Sequence, residues 1–403
     1  MKAMYLNVKC LSFLRAICDD IGERPVGSDA NRKATDLLKE EFDFLGWDIE
    51  IPEFAVIDWK QNGAELSLNG SGFNVFVSPY SLGCSVNAPL KVVEKISELE
   101  NGNFNNTVLL LKGEIASEQL MPKNFVFYNP DNHKKIVSLL ENSGAKAIIC
   151  ATGRNVALAG GVYPFPLIED GDFNIPSVYL TEEEGSKLCQ FEGQEAQLNI
   201  YSERINSKAN NVIGRKGNTS GEKVVITAHI DTKSGTPGAL DNASGVVTML
   251  LLADLLSDYS GDKCIEMVAL NGEDYYSNPG QMNYIQANRD KFEEIMLNIN
   301  IDGPGYKIGK TSFSFFDLSE NQEKKAVKVM RDFPGIVKGQ PWPQGDHSIF
   351  VQRDRPAIAI TSEWLLDNYD QDITHTDKDR ISIIDCSKLV DLSQALNSFI
   401  RSI

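Results

Sequence analysis

His229 and Asp231 close the run Ala228-His229-Ile230-Asp231, and ten residues further on Asp241 opens Asp241-Asn242-Ala243-Ser244-Gly245. The same half of the chain adds the adjacent pair Glu273-Asp274, then Asp302 in Asn300-Ile301-Asp302-Gly303 and His375 in Thr374-His375-Thr376-Asp377. Zinc accepts imidazole nitrogen and carboxylate oxygen. A two-metal hydrolase needs one carboxylate shared by both ions, with a nitrogen and a carboxylate completing each side. This set meets that requirement and can hold a hydrolytic water between the ions. Taken singly, the parts are ordinary: a His-x-Asp at a strand end is commonly a structural pair, and an acid at a helix start is commonly an N-cap. Asn242 and Ser244 can cap the following helix equally well, however, which leaves Asp241 free to bridge. The neighbouring carboxylates of Glu273 and Asp274 repel each other at a buried strand end and cost stability unless a metal or a proton compensates.

The elements that must position these residues are legible as short apolar runs. Residues 224–228, 265–270, 296–301 and 357–361 each read as a buried strand, and three of them run directly into a candidate ligand. Open α/β sheets place their sites beyond the carboxyl ends of their strands, so separate segments would converge on one crevice. Asp231 is placed to orient His229 through its carboxylate. Upstream, Leu11, Leu14, Ile17 and Cys18 predict an amphipathic helix ending near Gly22 and the turn Arg24-Pro25-Val26-Gly27-Ser28. A second helix follows, with Asp29 as its cap, Leu37, Leu38, Phe42 and Leu45 as its apolar face, and Gly46 as its stop before a strand over 47–51. From about residue 54 to 204 the texture changes to short β-like runs at 64–68, 108–111, 125–128, 147–150 and 177–180. Leu389, Leu392, Leu396, Phe399 and Ile403 then predict a closing helix. The expected fold is α/β, with a mixed, mostly parallel central sheet flanked by helices and an inserted mixed β-rich domain. The catalytic domain would be discontinuous, over 1–58 and 206–403, with the insert over 59–205 acting as a lid or in dimerisation.

At 403 residues the chain can bury a large core as well as an extra module. Acidic residues number 56 against 39 basic ones, for a formal net charge of −17. With no Lys/Arg-rich block, nucleic acid and anionic membrane are not expected partners, and the acidity serves solubility. Seven cysteines without CxxC spacing read as thiols in a reducing compartment. No apolar stretch has the length of a secretory signal or a membrane span, so the expected location is cytoplasmic. The sequon Asn242-Ala243-Ser244 falls inside the candidate metal site and is a chance match.

The order and wording of these segments resemble the co-catalytic zinc aminopeptidases of peptidase family twenty-eight, a group that also includes glutamate carboxypeptidases and glutaminyl cyclases. The resemblance lies in Ala228-His229-Ile230-Asp231-Thr232, in Pro237-Gly238-Ala239-Leu240-Asp241-Asn242-Ala243-Ser244-Gly245-Val246, and in Gly272-Glu273-Asp274, Asp302-Gly303 and His375-Thr376. It extends to Gly345-Asp346-His347-Ser348-Ile349-Phe350 with Pro356-Ala357, and to the early Arg24 to Ser28 turn. Residues 143–149 and 175–180 resemble a protease-associated domain, which many relatives carry as an insert.

The resemblance implies a zinc-peptidase fold of the phosphorylase/hydrolase type and two zinc ions. One would be held by His229, Asp241 and Asp302, and the other by Asp241, Asp274 and His375, with cobalt or manganese able to take the same ligands. Glu273 would be the general base, and Asp231, the carboxylate that orients His229, the other catalytic residue. The chain departs from the family's wording in two places. Relatives usually have Glu-Glu where Glu273-Asp274 stands, and a Tyr or other polar group where Thr374 precedes the final histidine. Tyr275, Tyr306, His347 and Thr374 are the candidates for substrate or oxyanion contact. The implied activity is removal of amino-terminal residues from short peptides, by a protein that could form a homodimer. The alternatives are a carboxypeptidase or dipeptidase, in which Arg353 or Arg355 would bind a terminal carboxylate, and a non-catalytic receptor-like binding protein.

Overall fold

In a computed structural model, which describes residues 2–154, 160–368 and 371–403, the chain divides into two compact units, Met1–Val56 with Lys208–Ile403, and Ile57–Ser207. The first is built on eight strands: β1 (Asp48–Glu50), β2 (Val212–Gly217), β3 (Lys223–His229), β4 (Cys264–Leu270), β5 (Ile295–Ile301), β6 (Thr311–Phe316), β7 (Ile336–Lys338) and β8 (Ala357–Ser362). Their order across the sheet is β1-β2-β4-β3-β5-β8-β6-β7. The central strands β4, β3, β5 and β8 are parallel, in registers that pair Ala228 with Ala269, Thr227 with Asn300 and Asn300 with Ala359. Every residue of β3, β4 and β8 is buried, which is why these strands read as unbroken apolar runs and not as alternating ones. Their carboxyl ends therefore share one edge of the sheet.

One face of the sheet is covered by α1 (Lys2–Arg15), α2 (Asp29–Phe44), α3 (Ser244–Leu255), α5 (Glu320–Asp332) and α6 (Cys386–Ile400), and α4 (Pro279–Ala287) lies between α3 and α5 in the chain. Leu38, Phe42, Leu250, Leu252, Ile226, Ile299 and Leu396 meet in the resulting core. All of α3 but Asp254 is buried, because the helix is sandwiched by the sheet, α1 and α6. The opposite face holds Glu266 of β4, which accepts from the Tyr284 hydroxyl of α4 at 2.8 Å and from Arg215 Nε at 2.7 Å.

The second unit has its own sheet, whose strands Cys84–Val93, Val108–Leu111, Ala147–Thr152 and Ser177–Thr181 are parallel. It packs two apolar clusters, one around Leu109, Leu111 and Ile148 and one around Leu90, Leu110 and Ile149. Residues 125–128, expected as a strand, form irregular chain with a bend at 126–127 instead, with Val126 and Tyr128 exposed. An aromatic run has the propensity for a strand, but here no neighbouring strand takes its backbone. The second helix begins one residue earlier than its sequence suggests. Ser28, not Asp29, is the cap, its hydroxyl accepting the N–H of Asn31 at 3.1 Å. Among the described residues no helix is long and apolar enough to cross a membrane.

Candidate metal centre

His229 is the last residue of β3, Asp302 follows the last residue of β5, and Glu273-Asp274 lie in the turn after β4. Parallel pairing thus brings three segments far apart in sequence to the same sheet edge. Asp241 arrives in the loop that leads from β3 into α3, and His375 in the loop before α6. His375 has φ +62, a backbone conformation seldom adopted by a residue with a side chain, and such strain persists only where the surroundings hold it. Here Gln371 Oε1 accepts the N–H groups of Ile373 at 2.7 Å and Thr374 at 3.0 Å, and the Thr376 hydroxyl donates to the Ile373 carbonyl at 2.6 Å.

Asp241 stands at the middle. Its Oδ1 is 3.1 Å from His229 Nε2 and its Oδ2 is 3.1 Å from His375 Nε2. Asp302 Oδ1 lies 3.6 Å from the same His229 nitrogen, and Asp274 Oδ1 lies 3.1 Å from the His375 nitrogen. One carboxylate is therefore shared between two imidazoles, and each imidazole has a further carboxylate of its own. Ligand atoms of His229, Asp241 and Asp274 all lie within 4.8 Å of one another.

The donor set fits a cation. His229 Nδ1 is 3.2 Å from the Asp231 carbonyl oxygen. A carbonyl only accepts, so Nδ1 carries the hydrogen and Nε2 is left as the ligating nitrogen. That Nε2 is buried without a hydrogen-bond partner, as is Asp274 Oδ2. Burial disfavours charge on His229, but contact with Asp241 and then Asp302 outweighs it and lifts its pKa well above the usual imidazole value. For His375 burial is likewise outweighed, by Asp274 and Asp241. Burial would raise Asp241, yet the two histidines hold it well below the ordinary carboxylate range. Glu273 is pushed well above its usual value by burial, which relief from His229 only partly offsets, and by the charges of Asp274, Asp302 and Asp346. Carboxylates outnumber cationic partners throughout, an arrangement that divalent metal relieves.

Asp231 does something other than the expected task. Its carboxylate is 3.8 Å from His229 Nδ1, and it instead accepts the N–H groups of Gly272 at 2.7 Å and Asp274 at 3.0 Å. The backbone carbonyl orients the histidine, while the side chain clips the loop that carries Glu273 and Asp274. Asn242 caps the turn into α3, its Oδ1 accepting from Gly245 at 3.0 Å and Gly303 at 3.2 Å while its Nδ2 donates to the Ile301 carbonyl at 2.9 Å.

The remaining candidates are occupied by packing. Tyr275 stacks on Tyr276 with centroids 4.5 Å apart, and Tyr306 stacks on Trp364 at 4.3 Å beside Leu240, Ile373 and Ile383. The Thr374 hydroxyl accepts from Gln371 Nε2. His347 sits between Phe316 and Trp342, with Nε2 2.9 Å from the Trp342 carbonyl. Arg353 lies over the Phe292 ring and donates to the Ile349 carbonyl at 2.8 Å, while Arg355 donates to the Arg353 carbonyl at 3.1 Å. Both arginines precede β8, at the end of the parallel strands opposite to the ligands.

The roles of two buried residues were not expected from the sequence. Asp379 accepts the N–H groups of Leu240 at 2.6 Å and Asp241 at 3.0 Å. Arg24 donates to the carbonyls of Ile230 at 2.6 Å, Pro237 at 2.7 Å and Gly238 at 2.9 Å. The sequence marked Arg24 only as the first residue of the Arg24 to Ser28 turn, and Asp379 only by its place four residues after His375.

Residues 211–400 match the model of peptidase family M28. Aminopeptidase YwaD of Bacillus subtilis is 25% identical over 319 residues, which cover 77% of this chain and 65% of YwaD. The probable lipoprotein aminopeptidase LpqL of Mycobacterium tuberculosis is 25% identical over 295 residues, covering 71% of this chain and 56% of LpqL. The chain thus spans less than two thirds of the length of either relative. Among solved structures, BSAP, a zinc aminopeptidase from Bacillus subtilis, superposes with a TM-score of 0.76 at 20% identity, over 98% of this chain and 95% of that one, so the two share a fold.

Proposed function

We propose that the chain, whose residues 211–400 match the model of peptidase family M28, is a member of that family and a metal-dependent aminopeptidase that removes amino-terminal residues from short peptides. The observation that carries this reading is the position of the two Asp241 oxygens, each 3.1 Å from a different imidazole. His229, Asp241 and Asp302 would hold one zinc ion and Asp241, Asp274 and His375 the other, and cobalt or manganese suit the same nitrogen and oxygen donors. Bound there, the ions supply Lewis acidity to a scissile carbonyl and lower the pKa of a water beside it. Glu273, in the turn after β4 beside Asp274, would take the proton of an attacking water and hand it to the leaving amine. Asp231 fixes the loop from which Glu273 acts. The surplus of carboxylate at the site also favours a substrate's α-ammonium group, which gives a physical basis for action at amino termini.

Carboxypeptidase action would need a cation near the ligands, and Arg353 and Arg355 are committed at the other end of β8. A binding protein without chemistry would have no use for a complete ligand set beside Glu273. The unit Ile57–Ser207 would be the protease-associated-type insert. Seven free thiols suit a reducing cytoplasm.

The test is mass-spectrometric product analysis on matched peptides with free, acetylated or amidated ends, using zinc-loaded protein. Stepwise release from free-amine peptides only, reduced roughly 10²- to 10⁴-fold in Glu273→Gln, is the expected result. Cleavage that tolerates acetylation but fails on amidated peptides would overturn the aminopeptidase reading. Undiminished turnover in Glu273→Gln would remove Glu273 from its role.

A further inference from the structure

The loop that carries the bridging ligand is gripped on two sides by residues that are not themselves ligands. On one side, Asp379 accepts the N–H of Leu240 and of Asp241 through its two carboxylate oxygens, and its backbone carbonyl accepts the N–H of Ala239 at 3.3 Å. Three successive amides of one loop thus point at one residue. On the other side, the guanidinium of Arg24 takes the carbonyls of Pro237 and Gly238, together with that of Ile230. Arg24 and Asp379 are both fully buried. Between them Gly238 has φ +58, and a Cβ there would meet Thr232 Cγ2 at 2.3 Å and the Asp241 carbonyl at 2.5 Å, so the loop has no slack for an alternative path. The device repeats one already seen, since Asp231 clips the backbone of Gly272 and Asp274 in the same two-oxygen fashion.

Asp379 also lies four residues after His375, in a loop closed by the Thr376 N–H to the Ile373 carbonyl at 3.2 Å and the Asp379 N–H to the Thr376 carbonyl at 3.3 Å. One short segment thus supplies a histidine ligand and the clip that holds the bridging carboxylate. We propose that Asp379, braced by Arg24, is a positioning residue that couples His375 to Asp241 and so sets the geometry and affinity of the metal pair. Loosening it would disturb both groups that share the second ion, whereas loss of an ordinary structural hydrogen bond would lower stability and leave affinity for zinc unchanged.

This inference rests on the proposed metal centre, and the experiment separates the two. Zinc affinity and stoichiometry are measured by chelator competition on the full-length wild type and on Asp379→Asn, with the melting temperature of each metal-free protein recorded alongside. In Asp379→Asn an amide N–H₂ faces one of the two backbone donors. The expected result is a zinc dissociation constant raised about 10- to 100-fold, the usual range for groups that orient ligands, with the second equivalent of zinc affected more than the first. If Asp379→Asn does not fold, Asp379→Glu, which keeps a carboxylate on a longer arm, decides by the same shift. Unchanged zinc affinity in the folded variant overturns the positioning role even if its melting temperature falls. A wild type that binds no zinc overturns the metal centre itself.

Discussion

Removing the metals is expected to destabilise one unit of the molecule and spare the other. Around Asp241 the structure gathers Asp231, Glu273, Asp274 and Asp302 against His229 and His375, so that even with both imidazoles protonated the carboxylates are in excess. Two divalent ions, ligated by neutral imidazoles, set four positive charges against those five carboxylates and nearly balance them. A ligand that binds only the folded state stabilises it by RT ln(1 + [L]/Kd), about 4 kcal/mol per site when free zinc is about 1,000-fold above Kd. For both sites the sum is about 8 kcal/mol. In a unit this large each kcal/mol moves the melting temperature by roughly 2 °C, so chelation should lower it by roughly 15 °C. The tryptophans provide the assay: Trp47, Trp342 and Trp364 lie in the unit that holds the site, and Trp59 in the other. Thermal melts of Trp59→Phe followed by fluorescence, with and without chelator, report the first unit alone, while calorimetry reports both. A fluorescence transition that does not move on chelation would refute the electrostatic argument for the site, since buried carboxylates that need no cation must be satisfied in some other way.

Two further perturbations probe how the site is supported. Burial pushes the His347 imidazole down to about 4, only partly offset by the Trp342 carbonyl. A histidine depressed in the folded state contributes stability that is present above its unfolded value near 6.5 and is lost as pH falls towards 4, so metal-free protein should lose about 2.5 kcal/mol between pH 7 and 4.5 from this group. Urea titrations at the two pH values should show that loss in wild type and a correspondingly smaller one in His347→Phe, and equal losses in both would reject the assignment. Asn242→Ala deletes an acceptor for the Gly245 and Gly303 N–H groups and a donor to the Ile301 carbonyl, all buried. A destabilisation of about 2–4 kcal/mol is expected by denaturant unfolding, and a change under 1 kcal/mol would mean that water replaces the side chain.

The candidate ligand set was legible because its members are tied to patterns that a sequence displays. His229 and Asp302 end or follow apolar runs that could only be buried strands, and parallel strands deliver their carboxyl ends to a common edge whatever the detailed register. The same logic reached Glu273 and Asp274 through the turn after β4. It failed where the decisive contact is made to backbone. Residues 125–128 have the composition of a strand, but strand formation depends on a neighbour's hydrogen-bonding edge, which composition does not encode. The Asp231 side chain looked like a histidine partner because the two are close in sequence, yet the N–H groups of Gly272 and Asp274, some forty positions away, occupy both its oxygens. The roles of Arg24 and Asp379 were invisible for the same reason. Every peptide offers the same N–H and C=O, so no residue type in 237–241 advertises that a guanidinium and a carboxylate will hold it. Ligands are selected by side-chain chemistry and leave a signature. The groups that hold those ligands in place act on main chain, and they become visible only when the loops are seen together.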